Sequence, residues 1–200
     1  MTQLSPKQQS ILCAAIEEFA QKGLQATTME SISQSAEVSK RTLYKHYSTK
    51  DELFDAVVEL LIERIKPITA IQFIPNYDFS VQLQHLAKSA MTLLNDEDYM
   101  RLSRIVMIES MRSFEQAQNL NEKFSHCEAA MIQWFEDAAN SGCLGSFDAD
   151  FAAAYFWGAL KKLGYWERAI KWQAPLPEAE LDILVEKAVA LFCNGVTQPQ

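Results

Sequence analysis

Residues 38–54 read VSKRTLYKHYSTKDELF, a segment in which a helix-start signal is followed by several basic side chains. It holds four lysines and arginines, two tyrosines and one histidine, and no acid occurs between Val38 and Thr49. Ser39 can cap a short helix that ends near Tyr47, because a serine oxygen accepts a hydrogen bond from a free N–H of the first turn. The stretch therefore predicts a short helix with a basic surface.

A longer helix is expected directly after it. Ser48 with Asp51, or Thr49 with Glu52, has the spacing at which two side chains cap a helix start. Pro67 should end this helix, because proline lacks the backbone N–H that a helix interior uses. The prediction is one helix of about 49–66.

The residues upstream predict two more helices. A first helix is expected over about 5–22, because apolar residues recur there at helical spacing and Gly23 follows them. Thr27 and Glu30 have the spacing of a capping box and open a second, short helix that reaches about Ser35. Two short helices joined by a three-residue turn and packed on a longer helix have the layout of a helix-turn-helix.

The third helix has two different faces. At about 100° per residue, Leu43 and Tyr47 are neighbours on one face and can pack on Ile32. The outward and flanking positions all carry hydrogen-bond donors: Lys40, Arg41, Thr42, Tyr44, Lys45 and His46. DNA requires positive charge for its phosphates and directed donors for its base edges. An ordinary solvated face would more often carry mixed charges, so this face favours binding to double-stranded DNA.

The segment TTMESISQSAEVSKRTLYKHYSTKDELF, residues 27–54, resembles the DNA-binding signature of TetR-type transcriptional regulators. In that signature a threonine starts the second helix, a short turn precedes a serine, and Leu-Tyr-x-His-aromatic is followed by Lys-x-x-Leu. The resemblance covers about residues 8–60, and residues 96–171 are similar to the regulators grouped with AefR. Glu37 stands where the family usually has glycine. If that position needs a positive φ, glutamate costs on the order of 1 kcal/mol relative to glycine.

The resemblance and the chemistry of the side chains together imply the DNA contacts. Thr27 and Thr28 are expected to attract a phosphate at a helix start, and Lys50 to anchor one on the other side of the groove. Base edges are expected to meet Lys40, Arg41 and Thr42. The ring or hydroxyl of Tyr44 can reach either a base or the backbone, and the backbone is expected to meet Lys45 and His46. A structural role for His46 also remains open.

The composition fits one polyanion-binding surface on an acidic body. The 200-residue chain carries a formal net charge of −8, whereas residues 1–50 carry six basic and four acidic residues. Chance fluctuation of charge explains this asymmetry about as well. No apolar run approaches the ~20 residues of a membrane span, and the N-terminus lacks the features of a signal peptide. A cytoplasmic protein without a membrane partner is expected.

Helical periodicity continues through the rest of the chain, so the expected fold class is all-α. Further helices are predicted over 79–94, from about 96, and over about 117–140, 148–171 and 177–194. The predicted domains are a three-helix helix-turn-helix DNA-binding domain of residues 1–50 and a helical effector-binding and dimerisation domain of residues 51–200. The helix of about 49–66 connects them.

The helix of about 148–171 is apolar on nearly all sides from Phe151 to Leu160. Either a partner subunit covers its outer face, or the helix is buried at the centre of its own domain. The resemblance favours the partner, because the last two long helices of TetR-like proteins commonly form a four-helix bundle across a two-fold axis. The expected homodimer interface comprises Ala154, Gly158, Gly164, Leu181, Leu184, Val185, Ala188 and Phe192.

A pocket for a small apolar or aromatic effector is also expected. Its candidate walls are soft or aromatic, with one acid able to orient a polar atom: Met107, Glu109, Met111, Phe114, Trp134, Tyr155 and Trp157. Any of these residues is equally suited to an ordinary core.

No signature of enzymatic chemistry occurs, so no catalytic residue and no cofactor are expected. The chain lacks the glycine-rich nucleotide-binding, metalloprotease and serine-hydrolase motifs. Its four cysteines are scattered, and Asp148 with Asp150 is better explained as a helix cap than as a metal site. The expected function is a ligand-responsive repressor that binds a palindromic operator as a dimer. The alternative is an all-helical protein-interaction scaffold or hydrolase without DNA binding.

Overall fold

The computed structural model describes residues 4–197, and within that range every regular element is helical. The predicted all-α class is confirmed. In chain order the elements are α1 (Pro6–Ala26), α2 (Met29–Ser35), α3 (Lys40–His46), α4 (Lys50–Thr69), α5 (Phe79–Leu94), α6 (Glu97–Ser110), α7 (Phe114–Asn140), α8 (Ala149–Leu160), a π-helical turn (Lys161–Trp166), α9 (Glu167–Lys171) and α10 (Glu178–Thr197).

The chain forms two compact units. Within the described residues, the first contains residues 4–63 and 101–120, and the second contains residues 64–100 and 121–197. The division falls inside α4, α6 and α7. The domain boundary after residue 50 stays a prediction. The first three residues of the first predicted domain and the last three of the second lie outside the described range.

Packing in the first unit orients α3 as its sequence predicts. Leu43 and Ile32 have no exposed surface, and Tyr47 is 7% exposed. The rings of Phe19 in α1 and Phe54 in α4 meet edge to face with centroids 6.2 Å apart. Because one side of α3 is buried, the side that carries Arg41, Tyr44 and Lys45 is exposed.

The helix starts in this unit are largely as predicted. The Ser39 hydroxyl accepts a hydrogen bond from the Thr42 amide at 3.1 Å and caps α3. The prediction for α2 is wrong by one residue, because its cap is Thr28, whose hydroxyl accepts from the Ser31 amide at 3.0 Å. The neighbouring Thr27 cannot cap α2, since its hydroxyl donates to the carbonyl of Gly23 at 2.9 Å.

Gly23 interrupts α1 as predicted, because its φ of 77° and ψ of 161° are not helical, and a short further helical piece reaches Ala26. One helix extends past its predicted end. Pro67 does not stop α4, which reaches Thr69. A proline in the last turn removes only one intrahelical hydrogen bond, and the next amides still find acceptors, as when the Ala70 N–H donates to the Lys66 carbonyl at 3.0 Å.

The second unit is built around α5, α7, α8 and α10. The apolar side of α5 is buried at Leu83, Leu86, Ala90 and Leu94, and α5 packs along α10. Phe135, Phe156 and Phe192 bring α7, α8 and α10 together, with ring centroids 5.0–6.1 Å apart.

The predicted helix of about 148–171 consists of three pieces. Asp148 caps α8 as expected, because its carboxylate accepts from the Phe151 amide at 2.8 Å. The helix then widens into the π-helical turn, where Gly164 is buried against Met91 so closely that a Cβ would collide with the methionine methyl group. Only glycine fits this position without a shift of Met91.

The turn between α2 and α3 contains a strained residue. Glu37 has φ 54°, which is the left-handed conformation that glycine adopts without a Cβ penalty. We predict that Glu37→Gly raises the free energy of unfolding by roughly 0.5–1 kcal/mol, measured by urea unfolding of the full chain.

The matched control is Gly142→Ala. Gly142 has φ 78°, and a Cβ added to it would meet no atom within 4 Å, so alanine there suffers backbone strain without a clash and should destabilise. A Glu37→Gly variant that unfolds at lower urea than the parent would contradict the strain at residue 37.

Candidate nucleic-acid interface

Three side chains on the exposed face of α3 are available to a ligand. Arg41, Tyr44 and Lys45 are exposed, with Tyr44 at 50%. Across residues 4–197, no hydrogen bond or ion pair engages any of the three side chains. They present a guanidinium, a phenol and an ammonium, which together suit phosphate oxygens and base edges.

Thr42 is held at the start of the same helix. It is half-buried, and its hydroxyl lies 2.8 Å from that of Ser39. One hydroxyl hydrogen is used between the two residues, so the pair retains one for an outside acceptor. His46 is half-buried in the last turn of α3, and both roles predicted for it stay predictions.

Lys40 is not free, because its ammonium forms an ion pair with Glu30 of α2. The Nζ–Oε1 distance is 2.6 Å, and both side chains are more than half exposed. The pair joins the beginning of α3 to the first turn of α2, at a surface where the sequence predicts only positive charge.

Lys50 has a structural role that the sequence analysis missed. Its ammonium donates to the carbonyl oxygens of Gln25 at 3.1 Å and Thr27 at 2.9 Å, and so ties the start of α4 to the link between α1 and α2. An ammonium has three hydrogens, so one remains for a phosphate.

The Thr27 side chain points inward, and the expected attraction of a phosphate to the N–H groups at this helix start stays a prediction. Thr27 is 1% exposed, and its hydroxyl donates to the carbonyls of Glu18 and Gly23. It fastens the chain between α1 and α2. Thr28 is exposed, and its hydroxyl caps α2.

A buried acid supports the whole arrangement. The carboxylate of Glu18 in α1 accepts hydrogen bonds from Lys22 at 2.7 Å and from Ser35 of α2 at 3.0 Å. Hydrogen bonds from Lys22 first, and then from Ser31 and Ser35, lower the pKa of this carboxyl group despite its burial. The available sequence signal was an acid inside the apolar stripe of α1 with a lysine four residues later.

A second missed contact joins α1 to α6 within the first unit. Arg101 Nη1 lies 2.9 Å from Glu17 Oε2, and both side chains are about half exposed. Because 84 positions separate the two residues, no local pattern indicates this pair.

The predicted effector residues are divided between the two units. Met107, Glu109, Met111 and Phe114 belong to the first, and Trp134, Tyr155 and Trp157 belong to the second. Met111 and Phe114 are 71% and 77% exposed, so they form no closed wall there. Glu109 is 2% exposed and pairs with Arg112 at 3.3 Å.

Two of the predicted effector residues have an unmet hydrogen-bonding requirement. Trp134 and Trp157 are 3% and 8% exposed, and neither indole N–H has an acceptor among the described residues. Trp134 also lies among aromatic rings, with Phe73 and Phe135 edge-on at 5.3 and 5.2 Å. Buried indole N–H groups usually find a partner, so each marks a place where an acceptor would be stabilised.

An open groove of about 630 Å³ lies elsewhere in the second unit. Arg64, Ile68, His85 and Asp96 are among its lining residues, and none of the seven predicted effector residues lines it. The Arg64 guanidinium is already paired with Asp96 at 2.7 Å.

The predicted interface residues have different environments. Ala154 and Gly158 are exposed, and Leu184 and Ala188 are half-buried. The remaining four already pack inside their own chain, which corrects the prediction that they face a partner: Gly164, Leu181, Val185 and Phe192.

Large apolar side chains that the sequence analysis did not select for the interface are exposed in and beside α8 and α10. Phe147, Phe151 and Tyr155 stack in a row with successive ring centroids 6.1 Å apart, and Phe151 and Tyr155 are 55% and 57% exposed. Leu191 and Ile183 of α10 are 72% and 50% exposed. We call these five residues the aromatic row and its neighbours.

Across residues 4–197, no helix has the length and apolar character needed to cross a membrane. No group of three or more His, Cys, Asp or Glu side chains is arranged there to hold a metal ion.

Family models match both parts of the chain. The model described as bacterial regulatory proteins, tetR family, matches residues 11–57, which include α2 and α3. The model described as the AefR-like transcriptional repressor C-terminal domain matches residues 81–195, more than half of the chain.

Individual proteins agree with the family models. A TetR family transcriptional regulator from Pseudomonas syringae pv. tomato str. DC3000 has a crystal structure that superposes with a TM-score of 0.82 at 31% identity, covering 96% of this chain and 97% of that one. The HTH-type transcriptional regulator UidR of Escherichia coli (strain K12) is 27% identical over 147 residues, 70% of each chain. The negative transcriptional regulator IcaR of Staphylococcus epidermidis is 32% identical over 92 residues, 46% of this chain and 49% of IcaR.

Proposed function

Because this chain belongs to the TetR family and is therefore a DNA-binding transcriptional regulator, we propose that it is a ligand-responsive repressor. In this proposal it binds a palindromic operator as a homodimer in the cytoplasm, and a small effector releases it. The main observation in support is that the hydrogen-bond donors of Arg41, Tyr44 and Lys45 on α3 are exposed and have no partner among the described residues.

The reading surface is proposed to include Arg41, Thr42 and Tyr44, with Lys45 on the phosphates. In a helix-turn-helix, the N-terminal residues of the second helix contact base edges in the major groove. Arg41 and Thr42 are in the first turn of α3, and Lys45 is in its last turn. This order supports base contacts at one end of the helix and backbone contacts at the other.

Repression is supported by a relative. IcaR is a negative transcriptional regulator, and its similarity covers 92 residues of this chain. A protein bound across an operator excludes other proteins from the same DNA, so tight binding alone is sufficient for repression.

A homodimer is supported by the aromatic row and its neighbours. Phe151, Tyr155, Leu191 and Ile183 are at least half exposed on α8 and α10, which pack together within the second unit. Large exposed apolar side chains on two packed helices usually mark an interface. A second copy is the partner that a palindrome requires, because two DNA-binding domains about 34–36 Å apart enter successive major grooves.

Effector binding is supported by the two buried indoles. Trp134 and Trp157 offer N–H donors inside apolar surroundings, so we propose an aromatic effector that carries a hydrogen-bond acceptor. To release DNA, it must bind the non-binding conformation more tightly than the DNA-bound one.

The alternative of a scaffold or a hydrolase without DNA binding makes a different prediction. Either protein would lack a salt-dependent preference for one DNA sequence. A hydrolase would also show turnover that survives the loss of basic side chains on α3.

The division of α3 into readers and anchors predicts two different mutant phenotypes. Arg41→Ala should cost about 1–3 kcal/mol on the operator and relax sequence preference at one symmetric pair of positions. Lys45→Ala should weaken binding to every sequence alike and lower the salt slope by about 0.9 per half-site. Both are measured by titration on operator and shuffled duplexes at several salt concentrations.

Lys45 is the better anchor variant than Lys50, since Lys50 also holds two backbone carbonyls. Circular dichroism checks that each variant is folded. Folded Arg41→Ala protein with unchanged operator affinity would show that α3 does not read the operator.

The proposed dimer predicts that a charge on α8 separates the subunits. Gly158 is exposed, and a Cβ there meets no atom within 4 Å, so Gly158→Glu should fold as a monomer. Sedimentation should show the monomer, and operator affinity should fall because the two heads no longer bind together. Ala20→Glu, at an exposed site of α1, should remain dimeric. A dimeric Gly158→Glu protein would move the interface elsewhere.

The proposed effector site predicts a ligand dependence on one N–H. Aromatic carboxylates, amides and alcohols are tested for a rise in melting temperature and for release of the operator. For the compounds that act, Trp134→Phe should weaken binding by up to about tenfold, because it keeps an aromatic ring and removes the donor. No active compound in the panel, or equal binding to the variant, would count against this site.

A further inference from the structure

Glu30 is an acid on the surface that is proposed to meet DNA. Between Thr27 and Ser48 the chain contains only two acids, Glu30 and Glu37. Glu30 lies in the first turn of α2, and its carboxylate is 2.6 Å from the ammonium of Lys40, the first residue of α3. The N-terminal residues of the recognition helix are those that contact base edges, so this pair is at the reading end of α3.

An acid in the first turn of α2 is favoured by the helix dipole, but its ion pair with Lys40 adds little further stability. The Lys40 and Glu30 side chains are 58% and 59% exposed, and ion pairs this exposed contribute little to stability. A carboxylate beside the phosphate backbone opposes binding, since affinity for any duplex depends on the number of phosphates that cations neutralise. An acid in this position therefore lowers the affinity for DNA of any sequence. It is useful only if it lowers the affinity for non-operator DNA more than the affinity for the operator.

The chemistry of the pair supplies that discrimination. An ammonium that is paired with a carboxylate contributes almost no net charge, so Lys40 gains little from phosphates of arbitrary sequence. It still has three hydrogens, of which the carboxylate needs one. Two remain for the paired acceptors on a guanine edge, which only the right sequence presents.

We propose that Glu30 is a specificity-determining residue, which withholds Lys40 from the phosphates and positions its ammonium for a base edge. The inference rests on the proposed reading role of α3. It assigns Glu30 an effect on the ratio of operator to non-operator binding, rather than on binding strength in general.

The test is Glu30→Gln in the full-length protein. An operator recovered by selection from random duplexes and a shuffled duplex of the same composition are titrated between about 0.05 and 0.3 M salt. Affinity for the shuffled duplex at 0.15 M salt should rise about fivefold per half-site, and its salt slope should steepen by about 0.9 per half-site. Operator affinity should rise less or fall, so the ratio of the two affinities decreases.

Glu37→Gln is the matched control, because Glu37 is the other acid of this segment, is exposed and undergoes the same change of charge. It should leave the ratio unchanged. An equal rise on both duplexes in Glu30→Gln would mean general repulsion only, and no change on either would mean that the pair is away from DNA. Both results overturn the proposal. Thermal unfolding of each variant separates these outcomes from a loss of folded protein.

Arg41→Ala, titrated in parallel, separates a failure of the role proposed for Glu30 from a failure of the reading role proposed for α3. If it reduces operator affinity while Glu30→Gln leaves the ratio unchanged, the role of Glu30 alone is wrong. If neither variant changes the ratio, the reading role of α3 is wrong.

Discussion

The burial of one side of α3 is the constraint on which the proposed DNA interface depends. Leu43 and Tyr47 are withdrawn from solvent together with Ile32 of α2, so the opposite side of a seven-residue helix must be exposed. A helix this short is not stable alone, and tertiary packing has to fix its orientation. Polar contacts reinforce it: Glu18 links α1 to α2, and Lys50 links α4 to the preceding carbonyls.

The structure distributes the basic residues of this region among different tasks. Lys50 is used largely for folding, Lys40 is paired with Glu30, and Arg41 and Lys45 are unengaged among the described residues. A chain with a net charge of −8 therefore presents few cations to DNA. One DNA-binding domain with few cations should bind weakly. Two linked domains should bind more tightly, because the link raises their effective concentration, and this fits a dimeric regulator.

Capping residues and apolar periodicity in the sequence predict the helices. They do not identify the capping residue where two adjacent residues have the same chemistry. Thr27 and Thr28 both suit a cap, and only the packing of α1 decides that Thr27 turns inward. Apolar periodicity likewise predicts that Leu181 and Phe192 are covered, but it does not say by what. Both are buried inside their own chain, whereas Phe151 and Tyr155 remain exposed. Pairs distant in sequence, such as Glu17 with Arg101, leave no periodic signal.

The central claim is that the exposed face of α3 reads DNA as one half of a symmetric pair. Selection of random duplexes on the purified full-length protein tests it most directly. The account predicts enrichment of a palindrome whose half-sites are centred one helical turn, about 10 base pairs, or a multiple of it apart. Enrichment that Arg41→Ala abolishes would agree with the account. A sequence pool that remains random after repeated rounds at low salt would contradict it.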